Sequence, residues 1–384
     1  MQIQLNEQQL MLQKTVREFC EREVLPVASD YDLKGEFPAD IIRMIGDLGV
    51  PGLLFPSEYG GSDGDMLSFL VALEELARAD ASVAITVEVN ATLCGELIHR
   101  FGTEEQKSRW LTPLAKGTMI ASFALTEPEA GSDSAAITTT AARDNDEWVI
   151  NGSKSFITNS GTEMTGFVIV AAVTSRDEAG KAKISNIIVP RDTPGYSVGP
   201  GYNKMGWRAS PTHPLYFQDC RVPATNIIGT EGKGLSQFLW SLDIARVAIA
   251  ALGVGLIQAC LDRALSYAQQ RRAFGKTLIQ FQAIQFSLAD METAAHMGRL
   301  ATYHAGNLIQ QGLPFSREAA IAKLFTSEAA LKAADQALQI HGGMGFMDDG
   351  PVARYYRDAK ILTIAEGTSE VQRMIIAREL GCPQ

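Results

Sequence analysis

The chain has 384 residues, 46% hydrophobic and 20% charged, the make-up of a globular protein too long for one simple core. Its 34 basic against 44 acidic residues leave a net charge of −10, which excludes the basic footprint that nucleic-acid binding needs. No apolar run approaches the roughly 18 residues of a membrane span, and Met1-Gln2-Ile3-Gln4-Leu5-Asn6-Glu7 has no basic stretch leading into an apolar one, so neither a membrane segment nor a signal peptide is expected.

Residues 1–118 read as a helical domain. Leu10, Val16, Phe19 and Cys20 have helical spacing over Glu7 to Val24, and Pro26 ends the pattern. Phe37-Pro38 and Asp40 open a second helix, and Tyr59-Gly60-Gly61-Ser62-Asp63-Gly64 reads as a loop. Helical patterns resume over Leu67 to Arg78 and Leu93 to Arg100, after which Thr103 stands as an N-cap. From 119 to 224 the signal changes to strands. Trp148-Val149-Ile150 and Phe167-Val168-Ile169-Val170 alternate with turn signals at Asn151-Gly152, Asp192-Thr193-Pro194-Gly195 and Gly199-Pro200-Gly201, which suggests a β-barrel or sandwich. Residues 225–384 are helical again. Phe238, Leu242, Ala245, Ile249, Leu252, Leu256 and Ala259 form one buried stripe. Ile321, Leu324, Leu331 and Leu338 mark another long helix, stopped by Gly342-Gly343. The expected class is α+β: a helical domain, a β domain and a second helical domain.

The five cysteines (Cys20, Cys94, Cys220, Cys260, Cys382) are odd in number and scattered, so they fit neither a disulfide framework nor a metal site, and a reducing, cytoplasmic setting is expected. His296 and His304 have no carboxylate at ligand spacing, so no metal is expected.

Four segments carry possible chemistry. Leu125-Thr126-Glu127-Pro128-Glu129-Ala130-Gly131-Ser132-Asp133-Ser134 is either a polar connector or a loop whose free N–H groups meet ligand oxygens. Phe156 and Thr158, two apart on a strand, share a face that suits a planar ring, or else Phe156 is a core residue. Arg271-Arg272-Ala273-Phe274-Gly275-Lys276, with Phe281-Gln282 after it, reads as a solvated charge cluster or a pyrophosphate grip. Finally, Glu366 in Ile364-Ala365-Glu366-Gly367-Thr368-Ser369-Glu370 is flanked by apolar residues. Such a carboxylate is partly desolvated and becomes a usable base, unless Glu366 is a surface charge and Thr368 a plain N-cap. Asp243 and Arg246 are either a helix salt bridge or part of a site.

Taken together and in this order, these motifs, with Lys204-Met205-Gly206-Trp207-Arg208 and His341-Gly342-Gly343-Met344-Gly345, resemble the acyl-CoA dehydrogenase family over nearly the whole chain. The resemblance implies a C-terminal four-helix bundle, FAD as cofactor, an acyl-CoA substrate, and α,β-dehydrogenation with electrons passed to electron-transferring flavoprotein. It makes Glu366 the catalytic base. Phe123, Leu125, Thr126, Phe156 and Thr158 resemble the flavin-lining positions, and Ser132 a cofactor-side hydroxyl that also meets the CoA pantetheine. Arg271, Phe274, Gln282, Gln339, Gly342 and Gly343 resemble contacts made to FAD across a subunit boundary, so a homo-oligomer, at least a dimer and by family a tetramer, is implied. Thr368 and Glu370 resemble FAD contacts at the last helix. Asp243, Arg246, Gly367, Glu88 and Ala365 resemble the substrate-contacting positions.

Three residues depart from, or sharpen, the family pattern. Some members carry the base one residue before the helix arginine, where Ala245 stands here. The residue before Glu366 is Ala365 rather than an aromatic, and Glu88 puts a polar group at the far end of the acyl cavity. A short or medium acyl group, branched or alicyclic (such as cyclohexanecarboxyl or cyclohexenecarboxyl), is therefore expected, unless another side chain refills the space beside Ala365. The alternatives are an acyl-CoA oxidase using O2 and a non-catalytic flavin-binding scaffold.

Overall fold

The computed structural model describes residues 4–382; Met1–Ile3, part of the segment read for a leader, and Pro383-Gln384 lie outside them. The first helix, α1 (Glu7–Phe19), opens with a reciprocal capping box between Asn6 and Gln9 and runs into a π-helical turn over Cys20–Val24. A short helix that the sequence reading passed over, α2 (Ala28–Lys34), follows and is closed by left-handed Gly35. Next come α3 (Ala39–Asp47) and α4 (Met66–Ala79), the latter capped by Asp65. Asp80 closes α4 and caps α5 (Ala81–Glu88) through Val83 N. After another π-helical stretch come α6 (Glu96–Phe101), α7 (Glu104–Gln106) and α8 (Thr112–Ala115). Thr103 caps α7 as expected, with Gln106 completing the box.

The middle of the chain forms one seven-stranded sheet: β1 (Ile120–Ala124), β2 (Thr140–Asp144), β3 (Glu147–Thr158), β4 (Thr165–Arg176), β5 (Ala182–Pro190), β6 (Tyr196–Val198) and β7 (Thr212–Pro223). The order is β1-β4-β2-β3-β7-β6, with β5 on the other edge of β4. Both β1 and β2 pair in parallel with β4, one after the other, so the chain leaves the sheet between them as the 125–139 loop. Asn151-Gly152 is not the turn it was read to be. Both residues lie inside β3, where the register against β7 shifts and Gly152 has φ 148. A Cβ there would stand 2.5 Å from Thr139 Oγ1. The hairpin turns instead at Asn145, in the left-handed region, between the paired residues Asp144 and Glu147.

The Phe167-Val168-Ile169-Val170 run is apolar throughout because β4 is covered on both faces. Val168 and Val170 enter a core inside the sheet with Trp148, Ile150 and Phe217, while Phe167 and Ile169 join the main core shared with the helices.

Five further helices complete the chain: α9 (Gly234–Gln270), α10 (Gln282–Gln310), α11 (Ser316–His341), α12 (Pro351–Leu362) and α13 (Ser369–Glu379), with a two-strand hairpin, β8 (Arg272–Ala273) and β9 (Lys276–Thr277), after α9. All seven residues of the α9 stripe are buried, and α9 packs against α4, α10 and α11. By length and composition α9 and the Ala81–Phe101 stretch would each cross a membrane, which corrects the reading that nothing approaches that length; both are nearly all buried, because a helix surrounded by others needs the same composition. A second correction concerns α11. Ile321 is exposed and Leu324, Leu331 and Leu338 are half-buried; the inward face is Ala319, Ala322, Lys323, Thr326, Ala330, Ala333 and Ala337. Small side chains let α11 lie close to its neighbours: a Cβ on Gly253 of α9 would meet Thr326 at 2.9 Å.

Candidate active site

Glu366 sits in the tight connection between α12 and α13. Ala365 N donates to Ile361 O at 2.9 Å and Ser369 N to Thr363 O at 3.0 Å, closing the loop from both ends. Glu366 (φ 54) and Gly367 (φ 93) are both left-handed. A non-glycine residue held there is strained by about 1 kcal/mol or more, so the surroundings must enforce it. Thr368 caps α13 by accepting Val371 N at 3.3 Å, and Glu370 follows in the first turn. The N-terminal amide and the Thr368 hydroxyl hold the Glu370 carboxyl below its usual range.

The side chain of Glu366 turns inward. Its Oε2 is buried with no hydrogen-bond partner among the described residues. Burial pushes its pKa up to about 7, against the pull of the positive charges of Lys323 and Arg246. Glu88, the last residue of α5, is wholly buried; burial and the charge of Glu366 drive its carboxyl well above the ordinary range, although Thr92 donates to it. Two buried carboxyls whose charges oppose each other do not readily both ionise, and Glu88 is the one driven further toward its neutral form. Arg246 is also buried; it pairs with Asp243 one helical turn back, and its Nε has no partner. Ala245 is buried as well and offers no base.

The loop after β1 lies beside β3. Phe123 stacks on Phe238 at 4.5 Å, and Leu125 is buried next to it. Thr126 is half-buried and its carbonyl accepts Ser155 N at 2.9 Å. Sequence reasoning gave no role to the pair that holds this loop. Lys154, fully buried on β3, donates to Glu127 Oε1 at 2.8 Å and to Leu125 O at 3.0 Å. Glu127 also accepts Thr138 N at 2.7 Å, the Thr138 hydroxyl at 2.7 Å and Thr139 N at 2.9 Å. Although burial opposes it, these donors hold the Glu127 carboxyl down to about 2, while burial lowers the Lys154 ammonium to about 8. Both remain charged at neutral pH.

Phe156 is held outward at φ 61, 64% exposed, with its ring 4.9 Å from Tyr202, and Thr158 is half-buried two residues on. An outward aromatic face on a kinked strand, with a hydroxyl beside it, fits a planar ring system such as a flavin. Ser132 is exposed on the loop.

Arg271, Phe274, Gln282, Gln339, Gly342 and Gly343 form a second group. All are exposed, Phe274 to 95%. His341 stacks on Tyr267 at 4.3 Å, which places the end of α11 beside the end of α9. Among the described residues, no hydrogen bond joins these six side chains to the 125–134 loop or to Glu366.

Two residues beneath Glu366 were missed. Lys323 Nζ donates to Gly367 O at 2.7 Å, and Gln372 Nε2 donates to the same oxygen at 2.8 Å. A signal for Lys323 was present: it is the one long charged side chain on the small-residue face of α11.

A helical–sheet–helical chain with a buried carboxyl between its two helical parts and an open aromatic face on the sheet defines the build of a flavin-dependent thioester dehydrogenase. Family models describe the same three parts: the acyl-CoA dehydrogenase N-terminal domain matches residues 6–118, the middle domain 122–220 and the C-terminal domain 232–381. The chain is 47% identical to the probable acyl-CoA dehydrogenase YngJ of Bacillus subtilis, over 99% of this chain and 100% of that one. It is 43% identical to the mitochondrial short-chain specific acyl-CoA dehydrogenase of Mus musculus, over 98% of this chain and 91% of that one. Among solved structures, butyryl-CoA dehydrogenase from Megasphaera elsdenii superposes with a TM-score of 0.96 at 41% identity, covering 99% of this chain and 100% of that one. The chain belongs to the acyl-CoA dehydrogenase family, FAD-binding oxidoreductases of fatty acid β-oxidation.

Proposed function

We propose that the protein dehydrogenates a short-chain acyl-CoA to the 2-enoyl-CoA, with Glu366 as the base that removes the α-proton. The observation that carries this is the buried, unpartnered Oε2 of Glu366, near Glu88 and within reach of the charges of Arg246 and Lys323. A carboxyl pushed up to about 7 is a strong enough base at neutral pH and releases its proton again after turnover. The backbone N–H of Glu366 donates to no other group among the described residues, which leaves it free for the thioester carbonyl oxygen, where charge develops as the α-proton leaves.

Phe123, Leu125, Thr126, Phe156, Thr158 and Ser132 would hold the flavin end of FAD, and Thr368 and Glu370 would meet it from α13. Arg271, Phe274, Gln282, Gln339, Gly342 and Gly343 would reach the FAD of a second copy; their exposure and distance from the first group in the bonding network support this. When bound, FAD supplies the hydride acceptor for the β-hydrogen. The family supports electron-transferring flavoprotein as the partner that then receives the electrons. Asp243, Arg246 and Gly367 would line the thioester, with Ser132 near the pantetheine.

Glu88 supports a short acyl group, since a buried polar end disfavours a long apolar tail. Ala365 extends this reading to branched or alicyclic acyl groups. It is half-buried against the main core, where a larger residue would narrow the wall.

The deciding experiment is Glu366→Gln. The variant should keep FAD and lose anaerobic flavin bleaching by acyl-CoA by on the order of 10³-fold or more; bleaching at the parent rate would remove the assignment. Ala365→Tyr should slow bleaching by isobutyryl- or cyclohexanecarbonyl-CoA at least tenfold more than bleaching by butyryl-CoA. Equal losses would reject the reading that Ala365 widens the pocket.

A further inference from the structure

We propose that Lys323 is a positioning residue for the base: from beneath the loop it pins the Gly367 carbonyl and presents its charge to the Glu366 carboxyl. This rests on the reading of Glu366 as base. Lys323 is wholly buried on the inward face of α11, among alanines and threonines. A buried ammonium without a carboxylate in hydrogen-bond contact is costly, and burial draws its pKa down to about 8. Among the described residues, the one hydrogen bond of its ammonium is to Gly367 O, the carbonyl of the residue after Glu366.

That carbonyl is also held by Gln372 from α13, itself fully buried. Two donors from two helices therefore fix the Gly367–Thr368 peptide, one residue past Glu366. This accounts for the sustained left-handed pair at Glu366 and Gly367, because rotating either residue toward ordinary φ would swing the carbonyl off both donors. Glycine is required at 367 on the same account: a Cβ would stand 2.7 Å from Gln372 Nε2.

The second part of the role is electrostatic. The charged and titratable groups around Glu366 come from four elements: Glu88 from α5, Arg246 with its partner Asp243 from α9, Lys323 from α11, and Glu370 and Arg378 from α13. Arg246 is committed to Asp243, whereas among the described residues no carboxylate is hydrogen-bonded to Lys323. Its charge is thus the least neutralised one facing the base, and it favours the ionised carboxyl.

The test compares Lys323→Met, Lys323→Arg and Gln372→Met. In the parent enzyme, anaerobic bleaching by butyryl-CoA should rise through a pH near that of Glu366. Lys323→Met should move this limb upward by about half a pH unit or more. Lys323→Arg should leave it in place, and Gln372→Met should lower the rate without moving it. An independent readout is the infrared band of the protonated Glu366 carboxyl, identified by its absence in Glu366→Gln and followed against pH without substrate. An unmoved limb and band in Lys323→Met would overturn the inference, as would a shift in Gln372→Met equal to the one expected for Lys323→Met. The Gln372 comparison stands alone if Lys323→Met does not fold. Failure of the base reading is separate: it would show as normal bleaching in Glu366→Gln.

Discussion

As the proposed base, Glu366 has to be ionised to accept a proton, yet its burial favours the neutral form. The sign of the consequence is fixed: below a pH of about 7 the base is protonated and idle, so kcat/KM for a short acyl-CoA should fall tenfold per unit as the pH drops below that value. A stopped-flow pH series of flavin reduction checks this, and a rate that stays flat down to pH 5 would contradict it. At this scale much was legible. Glu366 and its flanking apolar residues are adjacent in sequence, and Thr368 is an N-cap from either viewpoint. The coupling to Glu88 was not legible, because it depends on the end of α5 meeting the loop after α12 in space. Lys323 was visible as an oddity, but its target, a backbone carbonyl 44 residues further on, leaves no mark in the sequence.

Among the elements, the loop between β1 and β2 depends on the Lys154–Glu127 pair. Lys154→Met would leave a buried carboxylate with neutral donors alone, a loss of about 3–5 kcal/mol. The variant should melt at a markedly lower temperature and retain less FAD. Adding Glu127→Gln should recover part of the loss, and additive losses in the double variant would show that the two side chains do not act together. Because the Glu127 carboxyl is depressed to about 2, the stability its ionised form contributes is complete above the unfolded carboxyl value and is lost as the pH falls toward 2. Helix signals read well at this scale, since Asn6-Gln9 and Thr103-Gln106 are local bonds. Asn151-Gly152 misled because the pair that ordinarily makes a tight turn here makes a bulge: Gly152 lies against Thr139, a close approach set by tertiary packing. The α11 leucines misled for a related reason. The buried face of α11 is made mostly of alanines, with a threonine and a lysine among them, and where Thr326 meets Gly253 of α9 small side chains let the helices lie close.

For the whole molecule, the order helical–strand–helical was plain in the composition of each stretch. That the first and last stretches share one core was not. α4 and α9 pack together, and Arg354 on α12 donates to Asp80 Oδ2 at 2.8 Å and to Ala79 O at 3.1 Å, at a site where both charged side chains are buried. Arg299 on α10 and Tyr303 likewise reach Glu74 on α4. An isolated 1–118 fragment should therefore fail to give a cooperative melting transition, because Glu74 and Asp80 would be left as uncompensated charges on an exposed apolar surface. A sharp, native-like transition in that fragment would contradict this.

Asp80 and Arg354 are separated by 274 positions along the polypeptide. A ribosome adding about 5–20 residues per second needs tens of seconds to travel that far. Throughout that interval the nascent amino-terminal helices stay sticky and unpartnered, so safe delivery of this enzyme in a cell falls to whatever shields emerging chains until translation is nearly done.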